Sequence, residues 1–355
     1  MQKFFATLCI LILLMNAGCN ASRQKDVSRW SKEKAKRWYQ KQPWLVGCNF
    51  IPSTAVNQLE MWQWETFDAE TIDRELGWAR SLGFNTVRVY LHDLAWQVDP
   101  EGFKKRMIRF LEIADKHGIR PVFVIFDDCW NDNPKPGRQL EPIAGVHNSG
   151  WVQSPGTRFV KDPNSWPRLE NYVKDIIGSF RKDRRILMWD LYNEPGNSGL
   201  GSKSLPLLKA AFKWARQERP VQPLTAGIWN TELKELNALQ ISASDIITFH
   251  HYWDVGSLTQ QIKDLKVEGR PIICTEYMAR TRRSRFETHL PIFKKENVGC
   301  YNWGLVSGRT QTIYPWGSAK GSPEPDVWFH DILRKDGTAF DPEEVKLIRK
   351  IVLGN

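Results

Sequence analysis

The chain has 355 residues, of which 41% are hydrophobic, 12% are aromatic and 25% are charged. A chain of this length and composition can bury a sizeable core, which excludes disordered and fibrous proteins. The 50 Lys and Arg residues exceed the 40 Asp and Glu residues and give a formal net charge of +10. Because the basic residues are mixed with acidic ones, we expect no nucleic-acid partner.

The amino terminus has the pattern of an export signal. Residues 4–15 form an apolar run that is too short to cross the ~30 Å core of a bilayer as a permanent helix. The two small residues before Cys19 resemble a bacterial lipobox, in which the cysteine becomes the lipidated first residue, although Asn16 stands where that pattern usually has Leu. We expect a signal peptide over residues 1–18 and a lipid anchor at Cys19 that attaches the protein to the bacterial outer membrane or cell surface. Cleavage by ordinary signal peptidase, giving a periplasmic or secreted protein, is the alternative.

The remainder of the chain is expected to form one domain. Residues 19–41 are polar and highly charged, which indicates a tether or a short lead-in helix. No internal repeat, low-complexity tract or Pro/Ser-rich linker divides residues 42–355. Short apolar runs alternate here with stretches of helical periodicity, which is typical of βα units and a parallel sheet. Eight runs are predicted as strands: residues 44–50, 85–91, 120–126, 186–193, 222–228, 246–252, 271–276 and 299–304.

Eight strands is the number that a (β/α)8 TIM barrel requires, and this α/β fold is our prediction. Long loops over residues 127–162 and 306–326 follow the third and eighth predicted strands. A barrel places its active site at this end of its strands, so we expect both loops to shape a substrate cleft.

Two predicted strands end in glutamates. The fourth ends in Asn193-Glu194-Pro195 and the seventh in Thr275-Glu276. Carboxylates at the ends of two strands of one barrel point into the same cavity, and glycoside hydrolysis needs such a pair: one acid protonates the leaving oxygen and one carboxylate attacks. Asn193 has the reach and the donors to hold a sugar 2-hydroxyl.

These motifs resemble the glycoside hydrolases of clan A, whose barrels place the acid/base after the fourth strand and the nucleophile after the seventh. Within the clan, the chain is most similar to the family 5 cellulases and mannanases and to related family 2 type barrels. The resemblance implies that Glu194 is the general acid/base and Glu276 the nucleophile of a retaining double displacement. We expect no cofactor.

Further positions match the same pattern over residues 44–304. Arg88 lies on the second predicted strand, where family members have an Arg that hydrogen-bonds the nucleophile and keeps it ionised. His250 and Tyr252 match a His-x-Tyr pattern whose side chains contact substrate and nucleophile. Trp303 ends the eighth strand, where members place a Trp platform under the sugar.

The segment after the third strand follows no subfamily pattern, which leaves the sugar specificity open. Asp127 and Trp130 in this segment are expected to bind substrate. His251 should point to the opposite face of its strand from His250 and is expected to be structural. Tryptophans in loops are candidates to stack on sugar rings, and we expect about half of this set to line the cleft: Trp62, Trp64, Trp130, Trp151, Trp253 and Trp316.

A metal site is not indicated. Several His and Asp residues follow strand ends, but no HExxH or paired spacing connects them, so we expect no catalytic metal: His92, Asp93, Asp127, Asp128 and His147. The cysteines after the signal show no CxxC spacing, which argues against structural zinc, and whether a disulfide forms among them stays open: Cys48, Cys129, Cys274 and Cys300.

The sequence therefore predicts an exported, retaining glycoside hydrolase whose partner is a β-linked oligo- or polysaccharide. One alternative is a surface glycan-binding barrel without turnover, which the presence of Arg88 and both glutamates weakens. Another is a transglycosylase with the same residues and a sugar acceptor. The two long loops could wall off one side and make the protein exo-acting, but their length does not determine their position.

Overall fold

The computed structural model describes residues 28–354, so the predicted signal peptide and Cys19 lie outside the described residues. Eight parallel strands form one sheet in the order β5-β4-β3-β2-β1-β8-β7-β6. Each strand overlaps its predicted run, and the predicted (β/α)8 barrel is confirmed. The strands are β1 (Val46–Asn49), β2 (Thr86–Tyr90), β3 (Arg120–Asp127), β4 (Met188–Asn193), β5 (Leu224–Thr225), β6 (Ile247–His251), β7 (Ile272–Tyr277) and β8 (Gly299–Trp303).

Helices surround this barrel. They are α1 (Lys32–Gln40), α2 (Gln58–Trp62), α3 (Ala69–Ser81), α4 (Asp93–Val98), α5 (Pro100–Lys116), α6 (Thr157–Val160), α7 (Trp166–Phe180), α8 (Leu205–Gln217), α9 (Lys234–Ala243), α10 (Val255–Lys266), α11 (Phe286–Glu296) and α12 (Pro342–Leu353). Short 3-10 turns lie at Pro163–Ser165, Gly201–Ser204 and Arg280–Arg282. In the part of the chain that the structure describes, no helix has both the length and the apolar character needed to cross a membrane.

Helix α3 illustrates how the sequence specifies these elements. The side chain of Asp68 accepts a hydrogen bond from a first-turn backbone N–H and so caps the helix start. Ile72, Leu76 and Ala79 recur at helical spacing and are fully buried. Gly83 follows the helix with φ +88°, a left-handed conformation that suits glycine, and the chain then enters β2.

The barrel closes between β5 and β6 through irregular pairing. The predicted strand over residues 222–228 forms a regular ladder only at Leu224–Thr225. Beyond it, Ile228 donates to the carbonyl of Thr248 at 2.9 Å and accepts from the amide of His250 at 2.8 Å. Gly227 passes so close to His250 that an added Cβ would lie 3.2 Å from its Nε2 atom, so the crossing favours glycine.

Helix α1 covers the amino-terminal end of the barrel, so residues 32–40 of the segment before the barrel are helical. Its buried residue Ala35 and the partly buried Trp38 and Tyr39 pack on an apolar layer at the strand starts: Leu45, Val122, Leu187, Met188, Ile246, Ile273 and Tyr301. Just before the helix, the amide of Trp30 donates to Asp245 at 2.7 Å. The opposite, carboxyl end of the strands stays available for the site.

Two long segments lie at that carboxyl end: the β3 loop, residues 128–156, and the β8 loop, residues 304–341. They contact each other directly. The amide of Asn148 donates to the carbonyl of Thr310 at 2.9 Å, and the amide of Gly145 donates to the side chain of Gln311 at 2.9 Å. Both loops thus stand on one side of the barrel opening.

Candidate active site

Glu194 and Glu276 come together at the carboxyl ends of β4 and β7. One oxygen of each carboxylate and the Nδ1 atom of His250 all lie within 4.8 Å of one another. Glu194 has a positive φ of 43°, an uncommon conformation for a residue other than glycine and one that is frequent at functional sites. The register of β6 and β7 shifts at His250, which places this residue opposite Glu276.

Three donors hold the carboxylate of Glu276. Nη1 of Arg88 and the hydroxyl of Tyr90 each donate to its Oε1 atom at 2.8 Å. The hydroxyl of Tyr252 donates to Oε2 at 2.8 Å. Both carboxylate oxygens are therefore oriented by hydrogen bonds, one of which brings a full positive charge. The sequence pattern did not single out Tyr90, although it lies two residues after Arg88 on the same strand and thus on the same face.

Arg88 is fully buried and is itself fixed from several sides. Its Nε atom donates to Asp190 at 2.9 Å and its Nη2 atom to Asn193 at 2.7 Å. Asp190 supplies a buried counter-charge that the sequence analysis missed. A carboxylate in the middle of the apolar β4 segment was the available signal, because a buried charge on a strand needs a partner inside the barrel.

Glu194 has a different set of partners. Nδ1 of His250 lies 2.8 Å from its Oε1 atom. Its Oε2 atom accepts from the thiol of Cys129 at 3.3 Å and from the side-chain amide of Asn197. Burial raises the pKa of Glu194, but the hydrogen bond and charge of His250, with help from Cys129 and Asn197, outweigh burial and lower that pKa overall.

Cys129 and Asn197 were not predicted as site residues. Asn197 follows the Asn-Glu-Pro motif by two residues, and Cys129 comes just after β3 in a segment that matched no pattern. The cysteines that the structure describes are free thiols, all four of them buried: Cys48, Cys129, Cys274 and Cys300.

Asp127 does not line the cavity, contrary to the expectation that it binds substrate. Its side chain is 1% exposed, and its oxygens accept from Asn193 at 2.9 Å and from Trp151 at 2.7 Å. Burial raises the pKa of Asp127 to about 6, even though these hydrogen bonds act against the rise. Asp127 therefore orients Asn193, which does line the cavity between Arg88 and Glu194.

A cavity of about 1140 Å³ opens above the two glutamates. Six tryptophans line it: Trp130, Trp151, Trp229, Trp253, Trp303 and Trp316. Indole faces of this kind can pack on the apolar C–H faces of sugar rings. His250, Tyr252, Trp303 and Trp130 lie here as the sequence predicted. His251, which was expected to be structural, also lines the cavity, where its Nδ1 atom lies 2.8 Å from Gln261 of α10.

Two of the candidate tryptophans lie elsewhere. Trp62 is fully buried in the core, where its ring NH donates to the carbonyl of Tyr90 at 2.7 Å. Trp64 is 68% exposed and does not line the cavity. Trp229 was missed, although it directly follows the fifth predicted strand, which is the same signal that the other strand-end tryptophans gave.

Glu194, His250 and Glu276 also form a group that could ligate a metal ion. The partners of Glu276 oppose that use. Arg88 places a cation 2.8 Å from this carboxylate, and two tyrosine hydroxyls already donate to it. The donor set therefore suits a carboxylate that acts without a metal, and the absence of a catalytic metal stays a prediction.

Comparisons with known sequences give distant relatives. No protein-family model matches the chain. A 1,3-beta-glucanosyltransferase, gel1, from Aspergillus fumigatus is 21% identical over 269 residues, which cover 70% of this chain and 52% of that protein. The chain thus spans about half the length of the curated relatives it matches.

Solved structures of glycoside hydrolases resemble the chain over most of its length. A GH5_18 protein from Streptomyces cattleya, solved with GlcNAc, superposes with a TM-score of 0.61 at 12% identity, over 87% of this chain and 79% of that one. The exo-beta-1,4-mannosidase Op5Man5 from Opitutaceae bacterium strain TAV5 gives 0.60 at 15% identity, over 87% and 59%. The endo-beta-1,4-mannanase from Thermotoga petrophila gives 0.58 at 16% identity, over 87% and 76%. At these identities the likeness establishes the fold, and the chain is a (β/α)8 barrel of the architecture that these glycoside hydrolases share.

Proposed function

We propose that this protein is a retaining glycosidase that cleaves β-linked glycans by double displacement. The observation that carries the proposal is the pair Glu194 and Glu276, in which one oxygen of each carboxylate lies within 4.8 Å of the other. Retaining glycosidases hold their two carboxyl groups about 5–5.5 Å apart, whereas inverting enzymes need about 6.5–9.5 Å to admit a water between them. The short separation favours direct attack by one carboxylate.

The hydrogen bonds support a division of roles between the two glutamates. Glu276, oriented by Arg88, Tyr90 and Tyr252, attacks the anomeric carbon and forms a glycosyl ester while the glycosidic bond breaks. Glu194 donates its proton to the departing oxygen, which leaves as an alcohol. In the second step Glu194 takes a proton from water, the resulting hydroxyl bonds to the anomeric carbon, and Glu276 is released as a carboxylate.

His250 holds Glu194 beside Glu276. Its Nδ1 atom lies 2.8 Å from Glu194 and 3.4 Å from Glu276. The hydrogen bond and charge of His250 lower the pKa of Glu194 against the effect of burial. His250 therefore orients the carboxylate that exchanges its proton with the leaving oxygen and with water.

The comparisons support a carbohydrate substrate. Structures of similar fold carry GlcNAc or Manb1-4GlcNAc, and others are mannanases or mannosidases. The six tryptophans of the cavity provide stacking surfaces for such sugars. We also propose that the chain is exported and lipid-anchored at Cys19 in the bacterial cell envelope, a proposal that depends on the sequence pattern of residues 1–19.

Transglycosylation is the second candidate, because a curated relative in sequence is a 1,3-beta-glucanosyltransferase. The glycosyl ester on Glu276 would form in the same way, and a sugar hydroxyl would replace water as the acceptor. Accumulation of products longer than the substrate would indicate this activity, and release of shorter products alone would indicate hydrolysis.

Substitution of the two glutamates tests the proposal. Glu194→Ala should lower kcat by ~10²–10⁴-fold, and azide should restore activity because it attacks the glycosyl ester without needing a base. Glu276→Ala should abolish turnover while the thermal unfolding midpoint stays that of a folded protein. Trp64→Ala, on the surface outside the cavity, is the matched control.

The readouts are hydrolysis of aryl β-glycosides and of β-linked oligosaccharides, with the first anomer formed followed by NMR. Retained configuration is expected. An inverted product, or a Glu276→Ala variant with most of its activity intact, would contradict the double displacement. Glycan binding with no turnover on any substrate would favour the binding-protein alternative.

A further inference from the structure

The cavity is asymmetric about the two glutamates. On one side it extends past Asn197 and Ser198 after β4, past Trp229 and the two residues that follow it after β5, and along α10 as far as Asp264. On the other side, within residues 28–354, no residue of β1, β2 or the segments that follow them lines it. Open space therefore continues on the side of β4 to β6 and stops on the side of β1 and β2.

Packed side chains fill the space on the side of β1 and β2. Trp151 is 2% exposed, and its ring lies 5.1 Å from that of Tyr90 and 5.7 Å from that of Trp303, centre to centre. Behind Trp151 and Trp303, toward Asn49 and Ile51, the remaining space measures about 10 Å³. Such a volume holds at most about one water molecule, so a second sugar ring has no room there.

The β3 loop and the β8 loop together form a wall of the cavity, and hydrogen bonds connect the two loops. Besides its contact with Gly145, Gln311 donates to the carbonyl of Ile143 at 2.8 Å. The amide of His147 donates to Ser318 at 3.1 Å, and its ring Nδ1 lies 2.7 Å from the carbonyl of Tyr314. These contacts recur along both loops, so the wall is part of the folded structure.

The wall stands directly behind the nucleophile. Tyr252, which donates to Glu276, packs against Trp316 of the β8 loop with ring centres 5.0 Å apart. Tyr90, the other tyrosine on Glu276, packs against Trp151 of the β3 loop. By contrast, Asn197, which donates to Glu194, lies where the cavity begins to extend over β4 to β6.

The chemistry then gives the direction of the substrate. This step rests on the proposed function. The sugar that becomes bonded to Glu276 lies on the side of β1 and β2, and the leaving group protonated by Glu194 lies on the side of β4 to β6. We infer that the protein acts at chain ends and removes the terminal non-reducing sugar, one residue at a time, while the rest of the glycan extends over β4 to β6.

End-labelled substrates test this inference on the unmodified protein. The probes are tetrasaccharides of β-linked glucose, mannose, xylose or galactose with a fluorophore at the reducing end, together with the same compounds capped at the non-reducing end. For the sugar that is cleaved, the expected first products are free monosaccharide and labelled trisaccharide, with the capped compound intact. Labelled pentasaccharide in place of free monosaccharide also supports end action, with a sugar as acceptor.

Other product patterns would overturn it. Labelled mono- or disaccharide among the first products, or cleavage of a capped tetrasaccharide, would show internal attack and would leave the proposed glycosidase function standing. No cleavage of any uncapped tetrasaccharide would remove both the proposed function and this inference. Glu276→Ala run in parallel identifies cleavage that does not come from this site.

Discussion

Cys129 places a thiol against the carboxylate of Glu194, the proposed acid/base. Its Sγ atom donates to Glu194 at 3.3 Å and lies 3.4 Å from the side-chain nitrogens of both Asn193 and Asn197. Burial raises the pKa of Cys129, and the charges of Asp127 and Glu194 raise it further, so the thiol stays protonated and acts as a donor. Cys129 is therefore a positioning residue for Glu194.

We predict that Cys129→Ala raises the pKa of Glu194, because one hydrogen bond that favours the carboxylate is lost. The alkaline limb of kcat/KM against pH, which reports loss of the proton from the acid, should move to higher pH. Cys129→Ser keeps a donor and should stay nearer the parent profile. Identical profiles for the parent and Cys129→Ala would show that the thiol only fills space.

At the scale of elements, helix α1 acts as a lid on the amino-terminal end of the barrel. Ala35 is fully buried against the strand starts, while its neighbour Lys36 is exposed. Arg29 just before the helix donates to the carbonyl of Ile241 in the last turn of α9 and to that of Ser244, which follows α9. The segment before the barrel thus shields apolar side chains that would otherwise face water.

We predict that Ala35→Glu lowers the thermal unfolding midpoint, because it places a charge in an apolar contact and separates α1 from the barrel. The expected loss is a few kcal/mol, since burying one large apolar side chain contributes ~1.5–3 kcal/mol. Lys36→Glu is the matched control and should change stability by less than ~0.5 kcal/mol.

Measuring the activity of the same variant shows whether the substitution affects only the amino-terminal end of the barrel. Because α1 covers the end opposite the glutamates, kcat/KM of folded Ala35→Glu should equal that of the parent at a temperature well below its midpoint. An unchanged midpoint would mean that α1 contributes nothing to stability and serves only as a tether.

At the scale of the whole molecule, several acids are buried away from the site. Glu75 and Asp331 are at most 1% exposed, and burial raises the pKa of each to about 7. Glu75 accepts from the amide of Ser53 at 3.1 Å, and Asp331 accepts from Thr312 at 2.8 Å. The charge of Glu75 raises the pKa of Asp331 further. Neither carboxyl is therefore easily ionised inside the fold.

We predict that these two acids make the fold less stable as pH rises. Their pKa values are higher in the folded chain than in the unfolded chain, so the unfolded state binds fewer protons between about pH 4 and 7 and the free energy of unfolding falls there. Each group contributes up to ~1.4 kcal/mol per pH unit in this window. The double variant Glu75→Gln, Asp331→Asn should gain in midpoint relative to the parent between pH 5 and pH 8.

The quantity to measure is the difference in thermal unfolding midpoint between the variant and the parent at each pH. Burial lowers the pKa of His147 and of His289 to about 4, which gives the opposite slope below about pH 6.5 in both proteins and cancels in the difference. Glu65→Gln, on the surface, should show no such gain. A difference that does not grow with pH would contradict the prediction.

The sequence by itself determined the barrel and its central residues. Alternation of apolar runs with helical periodicity is a local signal, and it places Glu194 and Glu276 at the ends of the fourth and seventh strands. Arg88, His250 and Tyr252 were predicted from the resemblance to the clan A pattern. The short β5 ladder was not predicted in this form, because the closing contacts at Ile228 depend on β6 rather than on the residues of β5.

Only the tertiary structure decided which side chains meet. Three contacts join residues that lie 65 to 102 positions apart in the chain, and no local pattern encodes them. They are those of Asp190 with Arg88, of Cys129 with Glu194 and of Asp127 with Asn193. The two long loops were visible in the sequence as loops. Their pairing into one wall required hydrogen bonds across more than 160 residues, and that pairing underlies the proposed end action.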